Sequence, residues 1–483
     1  MVYSLNISAT INLKLALARW IGGEDIKTSF AEKTCQLQTL RKVPKTLENR
    51  MHTSSKPKKK QRLPKTSAKI AIIGTGPAAL STALSLQQAG FTDIALYERD
   101  QDFNARKDGY GLTLTYNPSN SIHSPLQKLG ILEELARRDC PSRSHYVFNS
   151  EGKILGYYGN AFSNEIKGLG QRGNLRVPRQ VLRQVMMDTL LERDRLTNHI
   201  CIHWGRKLKS YEQKNTKSCV DGDGDDCVNE NGRREKPVIL QFEDGGTTDA
   251  DLLVGADGVR SVVVQKLLRD SRKGNDISAE NEKDESNSTK TGNHSAQNAE
   301  LSYTGIMIIL GITKDFYHPL MDERGFYTLD GNYRLFTMPF EGSRIHDLEE
   351  YNVPIGDMST GNKRSRRYMW QLSFNLDYED ALVMSKSGPQ GIIDEVLKRT
   401  KNWHEPVQDM IRSTPLYTVW GTPLVDRNPK MVLNQLKHVY QCSDSRVLVM
   451  GDAAHSMTPF KGKHSYITNC YQTRYLSQSI SNV

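Results

Sequence analysis

The sequence predicts an α/β fold built on a parallel sheet, because three separate apolar runs each end in a glycine. The first run, residues 69–73, leads into the glycine-rich turn 74–79 and an apolar helical stretch. The second run, residues 249–255, and the third, residues 446–451, are also of the buried-strand type. Such runs are typical of strands in a parallel sheet, whose carboxyl ends carry the ligand sites.

The first turn has the spacing of a dinucleotide-binding site. Gly74 permits a tight turn, Gly76 has no side chain to keep the backbone from a pyrophosphate, and Ala79 is small enough for close helix–strand packing. The helix opens at Pro77 and Ala78, so its unpaired N–H groups face the phosphates. The alternative is a glycine turn without a ligand, and the strand–turn–helix context argues against it.

An acidic residue follows the next predicted strand. Residues 93–97 form a β-rich run that ends at Glu98, 24 positions after Gly74. A carboxylate at this place accepts hydrogen bonds from ribose hydroxyls. The turn and the acid together predict a dinucleotide site, and at this point they leave both NAD and FAD open.

Length and charge restrict the class of protein. The 483 residues suffice for two or three domains, or for one large α/β enzyme with a substrate-covering subdomain. The net charge of +10 is concentrated in residues 1–69, which hold 15 Lys and Arg against 4 Asp and Glu. The nearly neutral body argues against nucleic-acid binding. The apolar runs are too short for a membrane helix, so we predict a soluble intracellular body without stable membrane insertion.

Metal and disulfide chemistry are not expected. The seven cysteines are scattered, odd in number and without a CxxC pair, which fits a reducing compartment. The sequence also lacks HExxH, the nucleophile elbow GxSxG and the phosphate loop GxxxxGK[ST]. We therefore predict no metal site and assign no catalytic residue.

Four polar segments are expected to lie outside the core. Residues 1–68 form a basic arm, interpreted as a disordered tail, with an organelle presequence or a nuclear import patch as alternatives. Residues 213–236, 271–300 and 343–366 hold few large aliphatic side chains, so ordering them would bury little apolar surface. We predict that these three are surface insertions in loops of one fold.

Three motifs together resemble those of class A FAD-dependent monooxygenases of the aromatic-hydroxylase type. The matches to GxGxxG/A and GADG fall at Gly74, Gly76 and Ala79 and at residues 255–258. The third motif, GDAAHxxxPFxGxGxN, is matched at residues 451–455, Pro459, Phe460 and Gly462, and this sequence departs from it at the second glycine and the asparagine of GxGxN. Weaker similarity extends through most of residues 69–462. The resemblance implies a Rossmann-like FAD-binding domain interleaved with a β-sheet substrate domain.

The resemblance also implies how the chain is divided. The monooxygenase fold would span residues 69–470, followed by a divergent C-terminal tail at 463–483 that overlaps its end. The FAD-binding segments would lie at about 69–190, 249–268 and 446–462, and the substrate sheet largely at 300–425.

Single residues receive roles from the same resemblance. Glu98 would bind the adenosine ribose, with Arg99 beside it. Arg179 would lie near the FAD phosphate or ribityl region, and Asp257 at the pyrophosphate edge and in reserve for the nicotinamide cofactor. The third motif would supply the flavin end of the site, through Gly451, Asp452 on the ribityl chain, Pro459 against the isoalloxazine ring and Gly462 at the turn that follows.

Three further side chains are interpreted conservatively. His455 would fit a general base by residue type, but the resemblance implies that it is a positional residue and not a catalytic one. Trp370 and Trp420 are expected in the core or the pocket wall rather than as stacking partners, because large aromatic residues dominate buried area.

The reaction implied by the resemblance is a hydroxylation. NADH or NADPH would reduce FAD, and the reduced flavin with O2 would transfer one oxygen atom to a small organic, often aromatic, substrate. The alternative is an FAD-binding but catalytically impaired, truncated form, because His464 replaces the motif's second glycine and Tyr466 replaces its asparagine. An NAD-dependent dehydrogenase ranks last, since it would make the GDAAH motif accidental.

Overall fold

The computed structural model describes the body of the chain in segments. These segments are residues 68–105, 109–115, 124–140, 142, 144–159, 174–195, 199–213, 237–279, 301–321, 324–340, 367–428, 432, 436 and 446–456. Most of the predicted basic arm, much of the three predicted insertions and the tail from residue 457 lie outside the described residues.

The described residues form β-strands and α-helices. The strands, in chain order, are β1 (Ile70–Ile73), β2 (Ile94–Tyr97), β3 (Gly111–Thr115), β4 (Ser144–Asn149), β5 (Ile154–Gly159), β6 (Asn174–Pro178), β7 (Ile200–His203), β8 (Leu208–Gln213), β9 (Val238–Phe242), β10 (Thr247–Ala250), β11 (Leu252–Gly255), β12 (Ser302–Ile312), β13 (Arg324–Leu329), β14 (Tyr333–Pro339), β15 (Tyr368–Asn375), β16 (Trp420–Asp426) and β17 (Val447–Val449). The helices are α1 (Pro77–Gln88), α2 (Pro125–Leu129), α3 (Leu132–Arg137), α4 (Arg179–Asp194), α5 (Val262–Ala279), α6 (Tyr378–Lys386), α7 (Gly388–Arg399) and α8 (Val407–Arg412).

A five-stranded parallel sheet holds the three glycine-ending strands side by side, in the order β17-β11-β1-β2-β7. Its central strand β1 is buried throughout, because both faces of the sheet are covered. One face packs on α1 and α4, through residues such as Leu80 and Leu182. The other face packs on α5 and on an antiparallel sheet of the order β10-β9-β8. The predicted α/β fold is confirmed.

A seven-stranded mixed sheet has the order β16-β12-β15-β14-β13-β4-β5. One face is covered by α6, α7 and α8, and this core contains the fully buried Trp370 and Phe326. On the opposite face, Met338 and Met369 pack against Tyr110, just before β3. β3 pairs with β6 in a small antiparallel ladder that leads into α4. The second sheet therefore borders the parallel-sheet domain through this ladder.

Two boundaries differ from the sequence predictions. β4 and β5 lie within the 69–190 segment assigned to FAD binding, yet β4 pairs in parallel with β13 of the seven-stranded sheet. Only the fold brings these distant stretches together. Helix α5 continues to residue 279, so the stretch predicted as an insertion from residue 271 begins inside a helix. A helix satisfies its own backbone hydrogen bonds and can extend beyond the core.

Candidate active site

The turn after β1 packs against the loop after β11. Gly74 has φ +104°, and its N–H donates to the Tyr97 carbonyl at 2.8 Å. A Cβ added at Gly74 would lie 2.8 Å from the carbonyl oxygen of Ala256. Both the backbone conformation and the close approach therefore require glycine. The predicted role of Gly74 as the turn residue agrees with this geometry.

The amino end of α1 is open to a ligand. Gly76 is the N-cap residue, Pro77 occupies the first turn, and no side chain among the described residues caps the helix. The N–H groups of Ala78 and Ala79 therefore belong to a helix terminus that favours anions. Ala79 is fully buried, as expected for the small residue that allows close packing.

Glu98 fixes the glycine turn as well as standing at the end of β2. It is 6% exposed, and its Oε2 accepts hydrogen bonds from the Thr75 N–H at 2.8 Å and the Thr75 hydroxyl at 2.7 Å. Its Oε1 accepts from the Asp100 N–H at 3.2 Å. Arg99, predicted beside it, is exposed and lies 3.8 Å from the Asp100 carboxylate. The structure thus brings Glu98 to the turn, whereas Arg99 makes none of these turn contacts.

A buried arginine that sequence reasoning missed holds the same turn. Arg183 is 2% exposed; its Nε donates to the Thr75 carbonyl at 3.0 Å and its Nη2 to the Thr75 hydroxyl at 2.9 Å. The guanidinium also lies 4.7 Å above the Phe103 ring. Arg183 is four residues after Arg179 and so on the same face of α4, which is the signal that could have identified it.

Arg179 begins α4 and lies beside the glycine turn. Its Nη2 lies 3.7 Å from the position of a Cβ at Gly76, and its side chain packs against Gly109. Burial raises the pKa of Asp452, and the positive charge of Arg179 partly opposes that rise. The structure therefore brings Arg179 together with the glycine turn and with the third motif, and its place near the FAD phosphate or ribityl region stays a prediction.

Asp257 performs a local task in addition to any ligand contact. Its Oδ2 accepts hydrogen bonds from the N–H groups of Val262 at 2.8 Å and Val263 at 3.5 Å, so it caps α5. Burial raises the pKa of Asp257, although these amides and Ser261 oppose the shift. The carboxylate lies in the loop next to the Gly74 turn, where the sequence placed it.

Asp452 lies in a short turn of 3-10 helix at residues 451–453, directly after β17. The Met450 N–H donates to the Gly255 carbonyl at 2.8 Å, which ties this turn to the loop after β11. Asp452 is accessible to solvent, but surrounding protein raises its pKa by desolvation, with His455 and Arg179 acting in the opposite direction.

A second arginine absent from the sequence predictions connects the two loops. Arg427 follows β16, donates from Nη1 to the Ala453 carbonyl at 2.9 Å and from Nη2 to the Val259 carbonyl at 3.4 Å. No motif or spacing in the sequence pointed to this residue.

The polar groups at this junction fit a dinucleotide cofactor. The carboxyl ends of β1, β11 and β17 adjoin, so the Gly74 turn, the GADG loop and the Asp452 turn form one edge. Several buried polar atoms on and beside these loops have no hydrogen-bond partner among the described residues, namely Asp257 Oδ1, Arg427 Nε, His455 Nε2 and Ser456 Oγ. Such groups need a partner such as a ligand or water. Within the described segments, no cluster of His, Cys, Asp and Glu could hold a metal ion.

Part of the predicted flavin site lies beyond these contacts. Pro459 and Gly462, predicted at the isoalloxazine ring and its following turn, are outside the described residues, as is the tail 463–483. Trp370 is fully buried in the core, and Trp420 is 38% exposed.

The seven-stranded sheet presents an aromatic surface on its Tyr110 side. Phe336 packs with the methionine cluster there, and the rings of Tyr327 and His145 lie 4.8 and 5.8 Å from its ring. Burial, with a contribution from Arg176, lowers the pKa of His145 to about 3, so its ring is neutral near pH 7. We name Tyr327, Phe336 and His145 the aromatic face.

Comparison with known proteins agrees with this geometry. Residues 67–284 match the family described as FAD binding domain. The chain is 25% identical over 404 residues to 6-methylsalicylate 1-monooxygenase atA of Aspergillus terreus (strain NIH 2624 / FGSC A1156), covering 81% of this chain and 70% of that protein. It is 28% identical over 198 residues to YetM of Bacillus subtilis (strain 168), covering 41% of this chain and 44% of that protein.

A solved structure has the same fold. The 2,6-dihydroxypyridine-3-hydroxylase of Arthrobacter nicotinovorans superposes with a TM-score of 0.56 at 17% identity, covering 87% of this chain and 85% of that one. No helix in the described part of this chain is both long and apolar enough to cross a membrane. The match to the FAD binding domain family, the relatives named FAD-dependent monooxygenases and the three adjoining motif loops lead to one conclusion: the chain is an FAD-binding enzyme similar to the FAD-dependent monooxygenases.

Proposed function

We propose that this protein uses FAD, NADH or NADPH, and O2 to hydroxylate a small aromatic substrate. The observation that carries the proposal is the convergence of the Gly74 turn, the GADG loop and the Asp452 turn at the carboxyl ends of three neighbouring strands. Open α/β sheets bind their ligands at this edge. One extended cofactor can contact all three loops there.

The protein contributes binding and orientation. The open amino end of α1 suits the pyrophosphate, and the fixed carboxylate of Glu98 suits the adenosine ribose. Arg179, beside Gly76, supplies positive charge toward the phosphates or the ribityl chain. When bound, FAD supplies the hydride and oxygen chemistry of the reaction.

Asp452 is proposed to orient the ribityl chain. Its carboxyl is accessible to solvent in the turn after β17, and its pKa is raised by the protein around it. A carboxyl in such a place can accept a hydrogen bond from a sugar hydroxyl when ionised or donate one when protonated. Pro459 and Gly462 remain proposed contacts of the flavin ring, by resemblance alone.

The aromatic substrate is supported by the aromatic face. Phe336 packs on the cluster that includes Tyr110, just before β3, and its ring contacts that of Tyr327, while the low pKa of His145 keeps that ring uncharged. The Arg334 guanidinium lies 4.9 Å from the centre of the Tyr327 ring. Flat apolar surfaces favour aromatic ligands through offset or edge contacts. The Aspergillus terreus relative is named for 6-methylsalicylate, itself an aromatic compound, which supports the same substrate class.

The test is oxygen transfer by the FAD-loaded full chain. Oxidation of NADH and of NADPH and O2 uptake would be followed with a panel of phenols and benzoates, and products would be examined after reaction with isotopically labelled O2. We expect one aromatic compound to stimulate cofactor oxidation and to gain one labelled oxygen atom. FAD-loaded protein that oxidises neither nicotinamide cofactor would refute the proposal and favour the impaired FAD-binding form.

A matched pair of variants checks the site. Asp452→Asn should bind FAD about 10-fold more weakly, since one ionic hydrogen-bond partner is lost. Asp409→Asn, which changes an exposed carboxylate on α8, should leave FAD affinity and O2 uptake unchanged. Equal affinities in the two variants would exclude Asp452 from the cofactor site.

A further inference from the structure

Arg427 lies where the seven-stranded sheet meets the two cofactor loops. It is the first residue after β16, an edge strand of that sheet, and it is 3% exposed. Its backbone N–H donates to the Ser456 carbonyl at 3.1 Å, just beyond the Asp452 turn. The residue is therefore fixed to the third motif by its backbone before its side chain is considered.

The Arg427 guanidinium spans the space between the GADG loop and the Asp452 turn. One terminal nitrogen donates to Ala453, the neighbour of Asp452, at 2.9 Å, and the other to Val259 at 3.4 Å. The β11–β17 ladder connects the two segments up to the Met450–Gly255 hydrogen bond. Past the Met450–Gly255 hydrogen bond, the Arg427 guanidinium donates to both loops and so connects them within the described part of the chain.

Because Arg427 is buried, the loss of its two side-chain hydrogen bonds would not be compensated by water. Desolvation lowers the pKa of Arg427, and the charge of Asp257 partly opposes that shift. Removing the guanidinium would leave two carbonyl groups without this donor in a shielded place. A lysine ammonium keeps the charge but lacks the planar fork whose two ends reach separate acceptors.

We propose that Arg427 is a positioning residue that sets the spacing between the GADG loop and the Asp452 turn, so that both can contact one FAD molecule. The residue acts through the backbone carbonyls of Val259 and Ala453. Because Arg427 directly follows β16, it also links the two loops to the seven-stranded sheet. The inference rests on the proposed function only in taking FAD as the ligand of these loops.

The test compares FAD affinity in the full chain and its variants by quenching of flavin fluorescence. Arg427→Lys should weaken FAD binding about 10-fold and Arg427→Met about 100-fold, because one or both bridging hydrogen bonds are lost. Arg399→Lys is the control: this arginine packs over Phe374 and pairs with Glu395 at 2.8 Å, on the helix-covered side of the sheet. It should alter unfolding of the FAD-free protein without changing FAD affinity.

A chemical rescue separates positioning from general stabilisation. Methylguanidine added to Arg427→Ala should restore part of the FAD affinity, and the same addition should do nothing for Arg399→Ala. Wild-type affinity in Arg427→Lys and Arg427→Met, or absence of rescue, would overturn the inference while leaving the proposed function intact. Failure of the wild-type chain to bind FAD would instead overturn the proposed function and, with it, this role for Arg427.

Discussion

Gly74→Ala should damage both folding and cofactor binding, for two separable reasons. Gly74 has φ +104°, where a side chain costs about 1–2 kcal/mol. The new Cβ would also lie 2.8 Å from the Ala256 carbonyl oxygen, so β1 and the loop after β11 must move apart. Overpacking of this kind costs about 1–3 kcal/mol, which gives a total of about 2–5 kcal/mol.

Gly245→Ala isolates the first of these two costs. Gly245 has φ +85°, and a Cβ there would meet no atom within 4 Å. Its turn connects β9 to β10, away from the three cofactor loops. We therefore expect Gly245→Ala to lower the free energy of unfolding by only about 1–2 kcal/mol and to leave FAD affinity unchanged.

Urea unfolding followed by far-UV circular dichroism, with FAD titration in parallel, measures both quantities. Gly74→Ala should unfold at a lower urea concentration than Gly245→Ala and should bind FAD at least about 10-fold more weakly than wild type. Identical unfolding and identical FAD affinity in the two variants would refute the argument from close approach at Gly74.

Three other changes probe the core, a buried histidine and the ribose acid. Gly311→Ala would place a Cβ 2.5 Å from the fully buried Trp370 ring. The free energy of unfolding in urea should therefore fall by about 1–3 kcal/mol, and an unchanged urea midpoint would contradict this packing. His145 has a folded pKa of about 3 against an ordinary 6.5, so its contribution to stability is complete above about pH 6.5 and is lost as pH falls toward 3. Between about pH 7 and pH 5 the free energy of unfolding should fall by about 2 kcal/mol in the wild type, and this fall should be absent in His145→Gln. The same pH dependence in both proteins would contradict a neutral buried ring. Glu98→Gln should weaken FAD binding about 10-fold while the exposed-site control Glu243→Gln does not, and equal affinities by fluorescence titration would exclude Glu98 from the site.

The local part of the site could be predicted because its determinants lie within a few residues. Gly74, Gly76 and Ala79 each satisfy a steric condition set by the adjacent strand and helix, and the structure places β1 and α1 accordingly. The apolar runs before Gly255 and Gly451 likewise predict buried strands, since parallel strands covered on both faces are apolar throughout. Local sequence rules therefore predicted the parallel sheet and the edge at which such sheets bind ligands.

The supporting arginines could not be predicted in the same way. Arg183 reaches Thr75 across 108 positions in the chain, and Arg427 reaches Val259 across 168. The four-residue spacing from Arg179 places Arg183 on the same face of α4 but does not show its partner, and no pattern or short motif indicates Arg427. Their importance follows from burial and hydrogen bonding, which exist only after the strands and helices have assembled.

Long-range pairing also explains why two strands from within residues 69–190 join the seven-stranded sheet. β4 and β5 have ordinary strand sequences, and nothing within them shows that β4 pairs with β13. The capping of α5 by Asp257 is a similar case. The motif identified the residue and its loop, but not the amide groups whose hydrogen bonds its carboxylate accepts. Motifs locate candidate residues, while their protein partners depend on the packed fold.

Flavin content after reconstitution tests the central claim most directly. Purified full chain would be incubated with excess FAD, separated from free cofactor by gel filtration, and assayed for flavin absorbance against protein concentration. If the Gly74 turn, the GADG loop and the Asp452 turn bind one cofactor together, the protein will retain FAD in equimolar amount. Folded protein that emerges colourless would contradict the account.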